Sequence, residues 1–506
     1  MKNFIKYTKI ILGLFLAAGL VSSCTKKYEE INTNPNNPVD VPAINIFTNA
    51  VQAGISRQMG GWMQHTYVGC WCQQWCKVQY IDEDRYMPRD MSGEFQAVYI
   101  SELKNLTIVI NKAHDSGDKS LEGAAKVMRA WAFMYLTDCW GDIPYSEALQ
   151  GFSVDGTLTP KYDKQADIYA DLLTQLEDAN QLLSSSTINF GSGDIIYGGD
   201  PVKWRKFANS LKLRLLTRCA GTPWTFIYTM AGTQPPVTTT PGAAALATAD
   251  AQIATILGNS TQYPIFDSND DNAMLVYPGL PYRNPIYNTL LSRQDQAISE
   301  TMVNWLKSRS DPRLYIYAMP TPVSQTTPPL NWVGFQNGRG VTAAPFPSIS
   351  MLGTKIACTE TAPVYVMTYD EVLFHVAEYQ MRKGADAAAK AAYEAGIAAS
   401  MERWGLADGS TAYPTWGRGT ITTSTTGYPV DYAAYLAGPL VAWGGTDAQK
   451  YQKICEQRWA AIFGEGIQAY AEVRRTGFPE RAFEYELEAT YYPGLGLPIR
   501  LTYPLS

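Results

Sequence analysis

The residues best suited to chemistry in this chain are aromatic and crowd one short stretch: Trp62, Tyr67, Trp71, Trp75, Tyr80 and Tyr86, interleaved with Gln64, Gln73, Gln74 and Gln79. Flat rings beside amides suit a carbohydrate, because a ring stacks on the apolar C–H face of a sugar while polar side chains take its hydroxyls. On a helix, Tyr67, Trp71 and Trp75 would share one face at successive four-residue steps. With 32 tyrosines against 16 phenylalanines, many rings carry a polar edge. Tyr277, Tyr282, Tyr287 and Trp332 extend the set into loops. The residues expected to touch a ligand are Tyr67, Trp71, Trp75, Tyr80, Tyr282 and Trp332. The competing reading is that the same rings pack the core of a large helical protein.

Catalytic patterns are scarcer. There is no GxSxG, HExxH or Walker loop, and the three histidines are His65, His114 and His375, the last placed mid-helix as a structural group. Asp82-Glu83-Asp84, and Asp138 with Asp142, supply the carboxylates that glycoside hydrolysis needs, but not their separation. Cys70-x-Cys72-x-x-x-Cys76 lacks the paired spacing and four ligands of structural zinc, which leaves buried free thiols or a local disulfide. Asp267-x-Asn269-x-Asp271 opens like a calcium loop, but Asn272 stands where glycine is needed and Pro278 where glutamate is needed. No catalytic residue, metal ligand or cofactor is expected, with calcium left open.

The elements that must position these residues are helical and come in pairs. Ile168, Leu172, Leu176, Ala179 and Leu183 form one apolar stripe. Asp200-Pro201 opens the next helix, which buries Trp204, Phe207, Leu211 and Leu215 and turns Lys203, Arg205, Lys212 and Arg214 to water. Thr368-x-x-Glu371 reads as a capping box and Gly384 as a stop, followed by an alanine-rich helix from Asp386 to Arg403 closed by Gly405. Further helices are expected near Glu102–Lys112, Gly123–Asp138 and Asp447–Phe463. Such pairs resemble tetratricopeptide-type repeats, in which each pair stacks on its neighbour; the pattern alone leaves a bundle without repeat symmetry open. Thr222–Ala249, Pro320–Ala344 and Gly409–Gly438 read as long loops over a helical scaffold, with short strands.

The balance of 41 basic against 47 acidic residues gives a net charge of −6, which argues against nucleic acid as a partner. Lys2, Lys6 and Lys9 precede an apolar run from Ile10 to Val21 that ends in Ser22-Ser23-Cys24. The run is too short to span a bilayer and reads as a secretory signal over residues 1–23. A signal ending in small residues and Cys resembles that of bacterial lipoproteins, in which Cys24 would be acylated; two or more acyl chains, at about 0.8 kcal/mol per buried methylene, make a stable anchor. Residues 24–506 read as one helical domain with long loop insertions.

Several separated blocks carry a wider resemblance: Arg129-Ala130-Trp131-Ala132-Phe133, Trp140-Gly141-Asp142-Ile143-Pro144-Tyr145-Ser146-Glu147-Ala148, Ile196-Tyr197-Gly198-Gly199-Asp200, Asp311-Pro312-Arg313-Leu314, Gln457-Arg458-Trp459 and Glu472-Val473-Arg474-Arg475-Thr476-Gly477-Phe478-Pro479. In these the chain resembles the SusD/RagB family of outer-membrane lipoproteins, in its branch with a divergent N-terminal region. The resemblance implies a mostly all-α fold of tetratricopeptide-like pairs in a right-handed superhelical scaffold, held on the outer face of the outer membrane through lipid on Cys24. It implies a non-catalytic protein that binds an oligosaccharide, or in some members a peptide, and passes it to a SusC-like TonB-dependent transporter. Glu29-Glu30 is similar to surface-export signals, diluted by Lys26 and Lys27. A surface glycoside hydrolase and a purely structural adaptor are the alternatives.

Overall fold

The computed structural model describes residues 41–151, 156–220, 243–293, 295–339, 346–480 and 497–505. The signal segment, Cys24 and Glu29-Glu30 lie outside these residues, as does most of Thr222–Ala249.

Eleven longer helices among the described residues build the scaffold: α1 (Ala43–Gln58), α2 (Lys104–Ser116), α3 (Lys119–Trp140), α4 (Gln165–Ser184), α5 (Pro201–Ala220), α6 (Ala243–Gly258), α7 (Glu300–Ser308), α8 (Tyr369–Arg382), α9 (Asp386–Arg403), α10 (Asp447–Ala461) and α11 (Gly466–Thr476). Helices α1 to α6 pack in succession, each chiefly on its neighbour, α8 pairs with α9, and α8 joins the two groups by packing on α5 and α10. This all-α architecture of stacked pairs is tetratricopeptide-like. The expected α4 stripe is buried residue for residue, Ile168, Leu172, Leu176, Ala179 and Leu183 facing the core. Gly384 and Gly405 take φ of 72° and 77° and end α8 and α9, a left-handed conformation that glycine adopts without a side-chain clash.

Two sequence expectations fail at the α5–α8 contact, for one reason. Thr368 precedes α8 but its side chain makes no cap, because Glu371 turns inward instead of back to the helix start. Its carboxylate accepts from Arg214 Nε at 2.8 Å and Nη2 at 2.5 Å. Arg214, expected on the wet side of α5, is therefore buried, and so is Lys212, whose ammonium holds Glu177 at 2.6 Å. A capping box does form on α10, between Thr446 and Gln449.

The Arg214–Glu371 pair is one end of a buried polar network. Glu371 also meets His375 Nε2 at 3.1 Å, while His375 Nδ1 faces Arg458 Nη1 at 3.2 Å. Arg458 lies 2.9 Å from Glu378 and 2.8 Å from Glu472, and Arg475 bonds the same two carboxylates at 2.7 Å. Arg218 of α5 reaches Asp138 of α3 and Gln468 of α11, and Gln468 returns to Glu371 at 2.7 Å. Burial disfavours charge on Glu378 and Glu472, but the guanidinium groups of Arg458 and Arg475 outweigh it and hold both carboxyls well down, Glu378 to about 2. Burial pushes His375 the other way, below its usual value, so it sits neutral between Glu371 and Arg458. A second buried pair, Asp311–Arg313 at 2.6 Å, extends to Gln457 of α10 at 2.7 Å.

Strands are short and two-stranded among the described residues, and all five pairings are antiparallel. Trp75–Lys77 pairs with Gln296–Ile298 and Ala273–Leu275 with Val364–Met367, tying the long loops to the helices. Helix α11 begins at Gly466, where a Cβ would stand 2.8 Å from Gly69 Cα, so only glycine allows that approach.

Replacing Glu378 by Gln should lower the unfolding free energy by about 3–5 kcal/mol, since it strips a buried partner from Arg458, Arg475 and Arg382, the last at 3.1 Å. Because the folded pKa of Glu378 lies below its ordinary 4.5, its contribution is present above that pH and is lost as pH falls toward about 2. Thermal melts across this range should show a shallower acid limb for Glu378→Gln than for the unaltered protein.

Candidate functional site

The aromatic stretch does not form one helix. Residues Gly61–Val68 form a π-helix, Gly69–Trp71 a single further turn, and Trp75–Lys77 a strand. In a π-helix, neighbours lie five residues apart rather than four, so Trp62 meets Tyr67, with ring centroids 5.2 Å apart. The row continues inward through Trp71, 5.3 Å from Tyr67, to Tyr470 of α11 at 5.6 Å. Trp62 is its solvent end, 41% exposed, and Tyr67 and Trp71 are buried.

Four of the six expected ligand residues are therefore core. Tyr67, Trp71, Trp75 and Trp332 are each no more than 5% exposed, and a ring sealed on both faces has no face left for a sugar. Their polar edges are engaged as well. Trp71 Nε1 donates to Glu83 O at 2.8 Å, and Trp332 Nε1 to Ala318 O at 3.1 Å. Trp75 is stacked on Phe463 at 5.8 Å. The amides follow the rings: Gln74 donates to Trp459 O at 2.8 Å, and Gln73 accepts from Thr301 at 2.6 Å. Gln79 alone of the four is exposed.

Tyr80 and Tyr282 are at the surface, 68% and 59% exposed. Tyr80 has φ +54°, a left-handed backbone that a tyrosine rarely adopts and that the surrounding contacts must hold. Next to it the Arg293 guanidinium lies 5.4 Å from the ring centroid, anchored to Asp295 at 2.8 Å. Burial would raise the Asp295 carboxyl, but Arg293 and Lys77, at 2.9 Å, hold it below its ordinary range. Tyr282 follows Gly279 in a tight turn and precedes Arg283, which bonds Glu360 at 2.8 Å. The helix Pro285–Leu290, capped by Asn284, packs on the π-helix that carries Trp62. Arg418 ties this loop down through Leu290 O at 2.7 Å and Arg293 O at 3.0 Å. Trp62, Tyr80 and Tyr282 thus sit on three segments pinned to one another. Trp62 belongs to the aromatic stretch but not to the expected ligand set, because a four-residue spacing does not distinguish it; a five-residue spacing to Tyr67 does.

The carboxylates considered for hydrolysis are engaged elsewhere. Asp84 is fully buried, accepts from the Lys77 and Gly338 amides at 2.7 and 3.3 Å, and is pushed up to about 6 by burial. Glu83 pairs with Arg89 at 3.0 Å, Asp138 with Arg218, and Asp142 with Lys164 at 2.7 Å. In the calcium-like segment, the Lys206 ammonium contacts Asp267 and Asp271, each at 2.8 Å, and so occupies the place of a cation. Cys70, Cys72 and Cys76 are free thiols, and burial drives their pKa values up, Cys72 to about 12, which keeps them unreactive. No group of three or more metal-ligating side chains is found among the described residues.

Residues 35–233 and 239–504 match the profile of a SusD-like family described as starch-binding and associating with the outer membrane. Among solved structures, the chain is similar to a SusD homologue from Bacteroides fragilis, with 23% identity over 92% of each chain and a TM-score of 0.70. A chitin-binding protein matches with 24% identity over 92% of this chain and 93% of that one, at a TM-score of 0.69. A SusD homologue from Bacteroides uniformis matches with 22% identity over 92% and 93%, at 0.66. No curated protein matches. No described helix is long and apolar enough to cross a membrane.

Trp71→Ala and Trp75→Ala should each cost about 3–5 kcal/mol in urea unfolding, as truncation of a core ring does. Tyr80→Ala should stay within about 0.5 kcal/mol, as a surface change away from the core does.

Proposed function

The chain belongs to the SusD-like family, and from that premise we propose that it is a cell-surface binding lipoprotein that captures an oligosaccharide without cutting it and passes it to a SusC-like TonB-dependent transporter. The observation that carries the reading is the exposed trio Trp62, Tyr80 and Tyr282 on segments locked to a rigid helical scaffold. Rings already fixed in place lose little entropy when a sugar stacks on them, so shallow contact suffices for useful affinity. The cations beside the rings are neutralised by Asp295 and Glu360, which favours an uncharged glycan over an acidic one. The family description and the chitin-binding neighbour support a polysaccharide-derived ligand. The carboxylates of the hydrolase reading are held in structural bonds, which supports binding without hydrolysis. In this reading Cys24 carries the lipid that keeps the protein on the outer membrane, facing outward, where the ligand is met.

Calorimetry with purified protein against malto- and chito-oligosaccharides tests the ring assignment. Tyr80→Ala/Tyr282→Ala should weaken binding at least about tenfold, at roughly 1 kcal/mol per lost stacking contact, with unchanged melting. Unaltered affinity in that variant would remove both rings from the site, and release of shorter sugars would restore the hydrolase reading. Expressed with its leader in a Gram-negative host, Cys24→Ser should leave the membrane fraction, and the unaltered protein should co-purify with an outer-membrane barrel when the two are expressed together.

A further inference from the structure

A cleft of about 580 Å³ opens between α2, α3, α4 and the turn that follows Ile143–Pro144, and none of its lining residues belongs to the aromatic face. Its volume is that of a small-ligand site rather than a polymer groove. Arg129 of α3 stands in it half-buried, its guanidinium 5.8 Å from the Phe133 ring centroid, with neither a hydrogen bond nor an ion pair among the described residues. Among the described residues, arginines with buried side chains such as Arg214, Arg218, Arg313, Arg403, Arg458 and Arg475 are each paired with a carboxylate, unlike Arg129.

The same cleft is also lined by acid. Asp167 and Asp171 lie one turn apart on α4. Asp171 accepts from the Tyr145 hydroxyl, which leaves one of its oxygens uncommitted, and Asp167 has no hydrogen-bonded or salt-bridged partner among the described residues. Asp163, also at the rim, is already held by Ser146 and Lys161. Phe133 and Ile168 are buried beneath the cleft, and the Tyr145 ring lies edge-on to Phe133 at 4.6 Å.

A guanidinium without a polar partner among the described residues and carboxylates with uncommitted oxygens in one cleft match a small molecule that carries both charges. We propose that this cleft binds a free amino acid or short peptide as its zwitterion, the α-carboxylate on Arg129 and the ammonium toward Asp167 and Asp171. A guanidinium pairs with a carboxylate through two parallel hydrogen bonds, which Arg129 now lacks. A uronic acid would satisfy Arg129 equally well, but its hydroxyls are neutral and would leave two aspartates facing a single arginine uncompensated. The cleft's surplus of negative charge therefore selects an ammonium.

Calorimetry with the zwitterionic tripeptide Ala-Leu-Ala, its C-terminal amide, its N-acetyl form and digalacturonate tests the assignment on the full-length protein. The free tripeptide should bind, and blocking either end should weaken it at least about tenfold, the equivalent of one charge-assisted hydrogen bond. Arg129→Gln should lose as much, with amidation then having no further effect. Should that variant melt early through loss of its contact with Phe133, the exposed Asp167→Asn serves instead, weakening the free peptide but not the N-acetyl form. Tyr80→Ala/Tyr282→Ala should bind the tripeptide as the unaltered protein does, which separates this cleft from the proposed glycan face. Absence of tripeptide binding at millimolar concentration, equal affinity for the capped forms, or tighter binding of digalacturonate would each overturn the proposal.

Discussion

The buried charge network between α5, α8, α10 and α11 is the constraint on which the rest of the molecule depends. Arg214, Arg218, Arg458 and Arg475 face Asp138, Glu371, Glu378 and Glu472 with almost no solvent access. Each of these charges is tolerable only with its partners in place, since desolvating a lone ion costs more than any one contact returns. The geometry is therefore all-or-none: α8 must present one face to α5 and another to α10 and α11 at the same time. That requirement joins the first run of helices to the last and orients everything hung between them.

The surface that meets solvent inherits its order from this scaffold. The start of α11 lies against Gly69, and Trp71 lies against Tyr470, so the aromatic stretch is seated on α11. From there Trp75–Lys77 pairs with Gln296–Ile298, and the Lys77–Asp295–Arg293 chain reaches the ring of Tyr80. The exposed ring of Tyr80 is thus the last member of a sequence of buried contacts, and its support comes from beneath.

Amphipathic helices were legible in the sequence because one apolar stripe suffices to place them, as with Ile168 to Leu183 in α4. The same logic failed for Lys212 and Arg214, where charge was read as exposure although each has a buried or half-buried acid to meet. It failed again for Trp71 and Trp75, because the π-helix and the strand break the four-residue step that would have aligned them. For Tyr282 the loop setting was readable, but the setting of Tyr80 was not, because it depends on a ladder between residues more than two hundred positions apart.

By itself, the sequence determined the helical class, most helix limits, the scarcity of catalytic motifs and the blocks that carry the family, because these rest on local periodicity, capping chemistry and residue order. Only the tertiary structure decided which rings are core and which meet solvent, and which charges are paired. Burial and ion pairing are properties of distant segments brought together, and nothing in the spacing along one segment encodes what will be packed against it.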